Sequence, residues 1–391
     1  MTFCRFLILT GILFVPFFSV AQYGNRSSTD ERIKRKLERD SVKATKNLRY
    51  SFFAGPGASP ELGFVIGTAN LFTFKTNPKD SVIQRSSIAV NIAYGTVGAI
   101  VLNSRGRIFY NQDRFRIFFN TKLKIMPDHY FGIGYDAGRN TPKGETTTAY
   151  QKFYWVIQPR LMWKIDNNLF LGGIIDLNQT IASGVNPTMA ADPVYIEFGD
   201  NNFNSGIGAN FFYDSRDMVV NCFKGIFLNI SSIFYLTQLG SDNRYVVSTL
   251  DYRQYKSLFT TRSTLAWTIK SNFGIGDIPY GEMPTLGSSH DLRGYLTGQY
   301  RDKTSIFGLI EYRYMFSREP VEQGFKLLKR TGLVFWIGGG FLGDQPNDWK
   351  DFLPNAGLGL RIEIQPRMNL RFDYGFGVES MGFYLSVNEA F

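Results

Sequence analysis

Two histidines and two cysteines are all that the 391-residue chain offers to nucleophilic or metal chemistry. His290 stands beside Ser288, Ser289 and Asp291, the residue types of a hydrolase triad. Adjacent residues cannot readily line up as nucleophile, base and orienting acid, and no GxSxG turn is present, so the chain is read as not an enzyme. Cys4 and Cys222 cannot make a disulfide framework, a CxxC redox pair or a thiolate zinc site. No metal and no cofactor is expected; His129 reads as a turn residue and Cys222 as a spectator thiol. The remaining chemistry is ionic. Residues Gly206 to Asn229 read GIGANFFYDSRDMVVNCFKGIFLN, where Tyr213, Asp214, Arg216 and Asp217 end one strand and Lys224 and Gly225 open the next. Charge-assisted hydrogen bonds would lock a turn there. Residues Leu286 to Tyr295 read LGSSHDLRGY, placing Arg293 and the flexible Gly294 in a polar connection of about 30 residues, a length usual for functional loops.

The elements that must carry these groups are strands. Hydrophobic residues make up 44% of the chain and aromatic ones 16%, yet after the N-terminus no apolar run is long enough for a spanning helix. The pattern is period two instead. Phe115, Ile117, Phe119, Thr121 and Leu123 alternate with Arg116, Phe118, Asn120, Lys122 and Lys124. Similar alternation runs through Lys152 to Lys164, Gly357 to Ile364 and Asn369 to Phe376. Cations facing a lumen and aromatic rows facing lipid suit a closed transmembrane barrel, in which every backbone group is paired. The fold class is therefore all-β, a transmembrane antiparallel β-barrel. Sixteen segments are predicted, beginning near Leu62, Ser86, Gly98, Arg114, Tyr130, Lys152, Leu169, Ser205, Lys224, Tyr245, Phe259, Lys303, Thr331, Asn355, Asn369 and Gly382. Thr96 to Val97, Pro127 to His129, Asp166 to Asn168 and Gln365 to Met368 read as short turns on one side; Thr76 to Arg85, Ala137 to Thr148, Gly184 to Asn204 and Gly274 to Asp302 read as long loops on the other. Trp155, Trp163 and Trp267 read as interfacial girdle residues, and Pro159 marks a bulge.

Residues 1–21 read as a signal peptide: Arg5, an apolar run from Phe6 to Val20, then Ser19 and Ala21 before the cut. Residues 22–48 form a polar periplasmic tether and 49–391 the barrel. The net charge of +10 is assigned to the lumen and membrane surface rather than to nucleic acid, which an exported protein rarely meets.

The strand end YDSRD at Tyr213 to Asp217 with Lys224-Gly225, LRGY at Leu292 to Tyr295, EYR at Glu311 to Arg313, and LRFDYGF at Leu370 to Phe376 with the ending at Phe391 resemble the BamA/TamA-type superfamily of outer-membrane assembly and secretion barrels, also called the bacterial surface antigen family. The resemblance spans about Arg49 to Phe391 and implies sixteen strands, five of them after the long loop. It implies a lumen lock in which Arg293, followed by Gly294 and Tyr295, folds inward onto Glu311, with Arg313 on the same strand face. It also makes Asp214, Arg216, Asp217 and Gly225 a periplasmic turn motif and Phe391 a signal on the last strand. The family's FxDxG acid is absent, because Ile337 stands in its place, so the loop is expected to be held more weakly or by Glu311 alone. No room is seen for a POTRA domain. The implied function, in the outer membrane of a Gram-negative-type bacterium, is to assist insertion or translocation of outer-membrane components through a lateral seam. That seam is expected between Leu62–Lys75 and Gly382–Phe391. Expected partners are membrane lipid, client proteins and accessory subunits. The rival reading is a passive anion-favouring channel or structural barrel, with Arg114, Arg116, Lys122, Lys124, Arg160 and Lys164 lining the lumen.

Overall fold

Apolar side chains on one face of each strand and polar ones on the other leave only one way to bury neither wrongly in a bilayer, a sheet closed on itself. The computed structural model has that architecture. It describes residues 47–59, 62–80, 83–219, 221–259, 262–316, 330–345, 347–365, 368–378 and 380–391, so the expected signal peptide and nearly all of the tether lie outside the described residues. Leu48–Phe391 form one unit. Its strands are β1 (Arg49–Ser59), β2 (Gly63–Phe74), β3 (Ser86–Gly95), β4 (Ile100–Tyr110), β5 (Phe115–His129), β6 (Ala149–Asp166), β7 (Leu169–Ser183) and β8 (Asn201–Asp214). They continue as β9 (Gly225–Tyr235), β10 (Tyr245–Leu258), β11 (Ser263–Gly276), β12 (Thr304–Met315), β13 (Thr331–Gly343), β14 (Lys350–Gln365), β15 (Met368–Phe376) and β16 (Met381–Val387). Each pairs antiparallel with its neighbours in sequence, and β1 closes on β16.

The register sorts the side chains. Ile66, Tyr94, Ile100 and Ile125 form one cross-strand row and are 72, 59, 43 and 43% exposed, a lipid-facing stripe. Val156 and Met162 of β6 point inward and are buried, while Ile157, Leu161, Trp163 and Ile165 point outward. The β6–β7 pairing passes over Gln158 and Pro159, where the missing proline N–H interrupts the ladder and Gln158 instead donates to Asp176.

The closed barrel has sixteen strands, but one predicted strand is absent and one observed strand was not predicted. The strand expected at Tyr130 does not exist. Gly132 and Gly134 take positive φ of 87° and 88°, a short helix α1 (Tyr135–Asn140) follows, and Tyr130 turns inward with its ring 5.7 Å from that of Tyr280. The strand that sequence reasoning lacked is β1, whose Gly55-Pro56-Gly57 hides the alternation. The count is preserved because the two errors cancel, yet strand parity changes between them. Thr76–Arg85 therefore lies at the same end as the Asp166–Asn168 turn, and Thr96–Val97 lies at the end of the long connections. Pro127 to His129 is not a turn but the end of β5, paired with β6 through His129↔Ala149. The edge facing β16 is β1, not the Leu62–Lys75 strand, which lies one position further in.

The connections 130–148, 184–200 and 277–303 pack on one another. Met189, Tyr130 and Tyr280 are buried together, and Gln299 Nε2 donates to the Gly138 carbonyl at 3.1 Å. The 277–303 connection enters the barrel. Tyr280, Leu292, Arg293, Tyr295 and Tyr300 are all at most 2% exposed, and the inward side chains of β11 to β15 that meet them are buried, among them Ala266, Leu309, Val334 and Asp373. The inward side chains of β1 to β5 differ: Phe53, Leu71, Arg105 and Arg107 are exposed. The loop thus fills the half of the lumen lined by β11 to β15 and leaves Phe53, Leu71, Arg105 and Arg107 on the other side exposed.

Candidate functional site

The site is built around a loop arginine brought against two strands far away in sequence. Arg293 NH2 donates to Glu311 Oε2 of β12 at 2.8 Å, and Arg293 NH1 donates to Asp373 Oδ2 of β15 at 2.7 Å. All three side chains are 0% exposed. The Trp336 ring of β13 lies under the guanidinium, 3.4 Å from Cζ to its centroid. A cation removed from water needs this much compensation, because an isolated buried charge costs several kcal/mol.

The loop backbone is fixed as firmly as the side chain. Gly294 has φ 118°, and a Cβ there would lie 2.8 Å from both the Gly375 carbonyl and the Gly377 nitrogen of the opposite wall. Only glycine suits that combination. Its N–H donates to Tyr384 Oη of β16 at 3.0 Å, and its carbonyl accepts from Ser380 Oγ at 2.6 Å. Tyr295 donates through Oη to the Pro354 carbonyl at 2.7 Å. Asn355, which accepts from Trp336 Nε1 at 2.9 Å, also donates to the Arg293 carbonyl.

The two acids are shared with further arginines. Arg313 Nε donates to Glu311 Oε1 at 2.7 Å and Arg361 NH1 to Asp373 Oδ1 at 2.6 Å. Glu389 joins the two, accepting from Arg361 Nε at 2.8 Å and lying 3.8 Å from Arg313 Nε. Arg371 reaches Asp373 at 3.4 Å and donates to the Ser289 carbonyl and to Ser386 Oγ. Every cation of this cluster touches a carboxylate, so the network is one connected polar core rather than separate pairs.

Of the residues expected at the lock, Arg293, Gly294, Tyr295, Glu311 and Arg313 are all in it. The expectation that Glu311 alone holds the loop is corrected: the second acid comes from β15. Ile337, at the position where an acid was sought, faces lipid and is 66% exposed. Asp373 was legible as a polar-face residue of LRFDYGF, but alternation does not say what it meets across a lumen. Phe391 is also corrected. β16 ends at Val387, Asn388 takes φ 71°, and the tail turns inward, so Phe391 lies off the strand. Arg313 Cζ stands 5.2 Å from the Phe391 ring centroid and its NH2 donates to the Phe391 carbonyl.

The turn motif is assembled at the short-turn end. Arg216 is held by Asp214 in a two-pronged pair at 2.8 Å, and its guanidinium stacks 4.3 Å from the Phe227 centroid. Asp217 Oδ1 accepts from Phe223 N at 3.0 Å and from Cys222 Sγ at 3.1 Å. Gly225 has φ 120°, and a Cβ there would strike the Ser215 carbonyl. Cys222 is thus part of the turn; burial and the Asp217 carboxylate push its thiol up to about 12. His129 is no turn residue but ends β5, with Nδ1 2.9 Å from Thr148 Oγ1. Near His290, the ring meets Ser289 Oγ at 2.8 Å, but Asp291 turns away to accept from Gly287 N, so no triad geometry forms.

The expected cation row divides. Arg114 sits in the β4–β5 turn and Arg116 is paired with Asp113 at 2.7 Å, stacked 3.8 Å from the Phe170 centroid. Lys122 and Lys124 face the lumen without an ion pair among the described residues, and two further inward cations, Arg105 and Arg107, stand beside them on β4.

Comparison with solved structures shows the same fold in BamA from Haemophilus ducreyi lacking POTRA domains 1-3, at TM-score 0.57 and 14% identity, over 93% of this chain and 78% of that one. CdiB from Acinetobacter baumannii aligns at TM-score 0.54 and 11% identity, over 88% of this chain and 60% of that one. CdiB from Escherichia coli aligns at TM-score 0.54 and 11% identity, over 92% and 70%. A search of curated proteins returned no match. Residues 70–391 match the Omp85 superfamily domain, a span that takes in the loop motif, both acids that hold it and the turn motif, and the chain belongs to the Omp85 superfamily.

Proposed function

We propose that this protein resides in the outer membrane of a Gram-negative-type bacterium and assists insertion or translocation of outer-membrane components through a lateral seam between β1 and β16. The observation that carries the reading is the sparse pairing of that seam. β1 is registered with β2 along its whole length, from Arg49↔Thr73 to Ser59↔Gly63, whereas toward β16 the register holds one pair, Ala58↔Leu385. Unpaired backbone groups in a bilayer cost several kcal/mol each, so this is the cheapest place for the wall to part and for an incoming edge to pair. Pro56 in β1 removes one further donor. Membrane lipid is the surrounding partner; client proteins and accessory subunits are the partners such a seam would serve.

The test is a disulfide across the seam, Ala58→Cys with Leu385→Cys in a Cys222→Ser background. Under the proposal the oxidised barrel stays folded but no longer supports envelope integrity, and reduction restores it. A locked protein that complements a deletion as well as the reduced one removes the seam mechanism. The passive channel reading draws on the unpaired lumen cations, and against it stands the 277–303 connection, which fills one half of the lumen and narrows the path a pore would use.

A further inference from the structure

The barrel interior neutralises its cations with notable regularity. Arg116, Arg216, Arg253, Arg293, Arg313 and Arg361 each have a carboxylate oxygen within 2.6 to 2.8 Å. Single inward cations such as Arg160 and Lys270 lack such a carboxylate among the described residues, and Arg105 and Arg107 of β4 with Lys122 and Lys124 of β5 lack it as a group. The register puts their side chains on the lumen face, in rows with Asn120, Phe118, Asn103 and Val101, and none has an ion pair among the described residues. Arg105 and Arg107 are exposed to the lumen. The four form a chain of electrostatic neighbours along the wall, Lys124 with Lys122, Lys122 with Arg105, and Arg105 with Arg107.

The carboxylates in reach are spoken for or distant. Asp214, near Arg107, is held by Arg216 at 2.8 Å; Asp128, near Lys124, lies 3.5 Å from Lys152; Glu282, in electrostatic reach of Lys122, accepts from Thr180 of β7 and forms no ion pair with Lys122 among the described residues. The wall leading from the patch to the seam adds no negative charge. Its inward residues include Ala93 and Ala89 of β3, Gly67 and Ala69 of β2 and Gly55 of β1, and from Ser51 to Lys124 the inward faces of β1 to β5 carry no carboxylate. Four like charges held this way repel one another, and the arrangement is costly unless an anion is bound.

We infer that the β4–β5 face of the lumen is a binding site for a phosphate-bearing ligand. Diagonal cross-strand neighbours such as Arg105 and Lys122 have Cβ atoms about 7–8 Å apart, a gap that their long side chains close around one tetrahedral dianion. Arginine supplies the two-pronged geometry for phosphate oxygens and lysine a mobile point charge. Four cations suit a multiply charged group better than a single halide or carboxylate. No carboxylate intervenes on the wall between the site and the seam, so the same chemistry serves a free phosphate compound or the headgroup of an anionic lipid.

The test uses the full-length barrel purified in zwitterionic detergent, with binding followed by native mass spectrometry and by the shift in thermal unfolding. One arm adds inorganic pyrophosphate, the other adds micelles doped with phosphatidic acid. Wild type is compared with Arg105→Gln/Lys122→Gln, with the fourfold variant that adds Arg107→Gln and Lys124→Gln, and with Lys143→Gln, a control on an exposed loop. The expected result is binding by wild type and by the control, weakened by at least about tenfold in the double variant. Binding in the pyrophosphate arm assigns a soluble ligand, and binding only in the lipid arm assigns a headgroup. Because a fourfold variant can fail to fold, the double variant is decisive once its heat-modifiable migration matches wild type. No binding in either arm, or binding unchanged by neutralisation, overturns the inference. The measurement does not involve seam opening, so its failure leaves the seam reading standing, and a failed disulfide test leaves this site standing.

Discussion

Arg293→Ala removes two charge-assisted hydrogen bonds, to Glu311 and to Asp373, and the stack on Trp336. Hydrogen bonds to charged groups contribute about 1.5–3 kcal/mol each and a desolvated cation–π contact about 2 kcal/mol. A simple sum overstates the loss. The acids left behind are not orphaned, since Glu311 keeps Arg313 at 2.7 Å and Asp373 keeps Arg361 at 2.6 Å. The expected cost to loop docking is therefore about 3–5 kcal/mol, the range for breaking a buried pair. The informative measurement is a pair of double-mutant cycles, Arg293→Ala with Glu311→Ala and Arg293→Ala with Asp373→Ala. Each is read by hydrogen exchange of the 277–303 connection in detergent-solubilised barrel. With contacts of 2.8 and 2.7 Å, both cycles should give coupling of about 1–3 kcal/mol. Additivity within about 0.5 kcal/mol in the Asp373 cycle would refute the claim that β15 supplies half of the lock.

A cysteine at Asn140, exposed on a long connection, should react with an impermeant thiol reagent on intact cells, and one at Asn167, exposed in the β6–β7 turn, should not; the reverse pattern would invert the barrel. Native Cys222 should stay unlabelled in the folded protein at pH 8, because its thiol is buried and pushed up to about 12; rapid labelling there would contradict the turn geometry. Burial, then Asp176, raise the Glu282 carboxyl from 4.5 to about 7. Between those values the docked loop holds more protons than the undocked one, so docking should weaken as pH rises from about 4.5 to about 7. Glu282→Gln should flatten that slope in a protease-accessibility titration, and an unchanged slope would assign it to another group.

Period-two patterning made the barrel and fifteen of its strands legible, because a lipid-facing row must be apolar at every second position. It failed where local chemistry imitates or masks that rule. Tyr130 and Phe131 look like strand aromatics, yet their apolar surface is satisfied by the loops that fill the lumen. Gly55-Pro56-Gly57 looks like a turn, yet it lies in the strand at the seam. The lock was half legible. The motif around Arg293 and the inward face of β12 are local features, whereas the Arg293–Asp373 contact spans 80 residues and depends on how far the loop reaches across the barrel. The four cations of β4 and β5 were invisible as a group until the register set two of them beside the other two.

The inward turn after Val387 gives the two sides of the seam different mechanical stiffness. β16 is stayed like a mast: Tyr384 holds the Gly294 N–H, Ser386 holds Arg371, Glu389 is moored to Arg361 and Asn369, and the Phe391 carbonyl to Arg313. Pulling that strand outward strains the whole ionic core at once. Between Ser51 and Gly57, β1 turns one hydroxyl, one phenyl ring and two glycines toward the side of the lumen that the loop leaves exposed. If the wall parts as proposed, the leaf that swings is β1, and β16 is its doorpost.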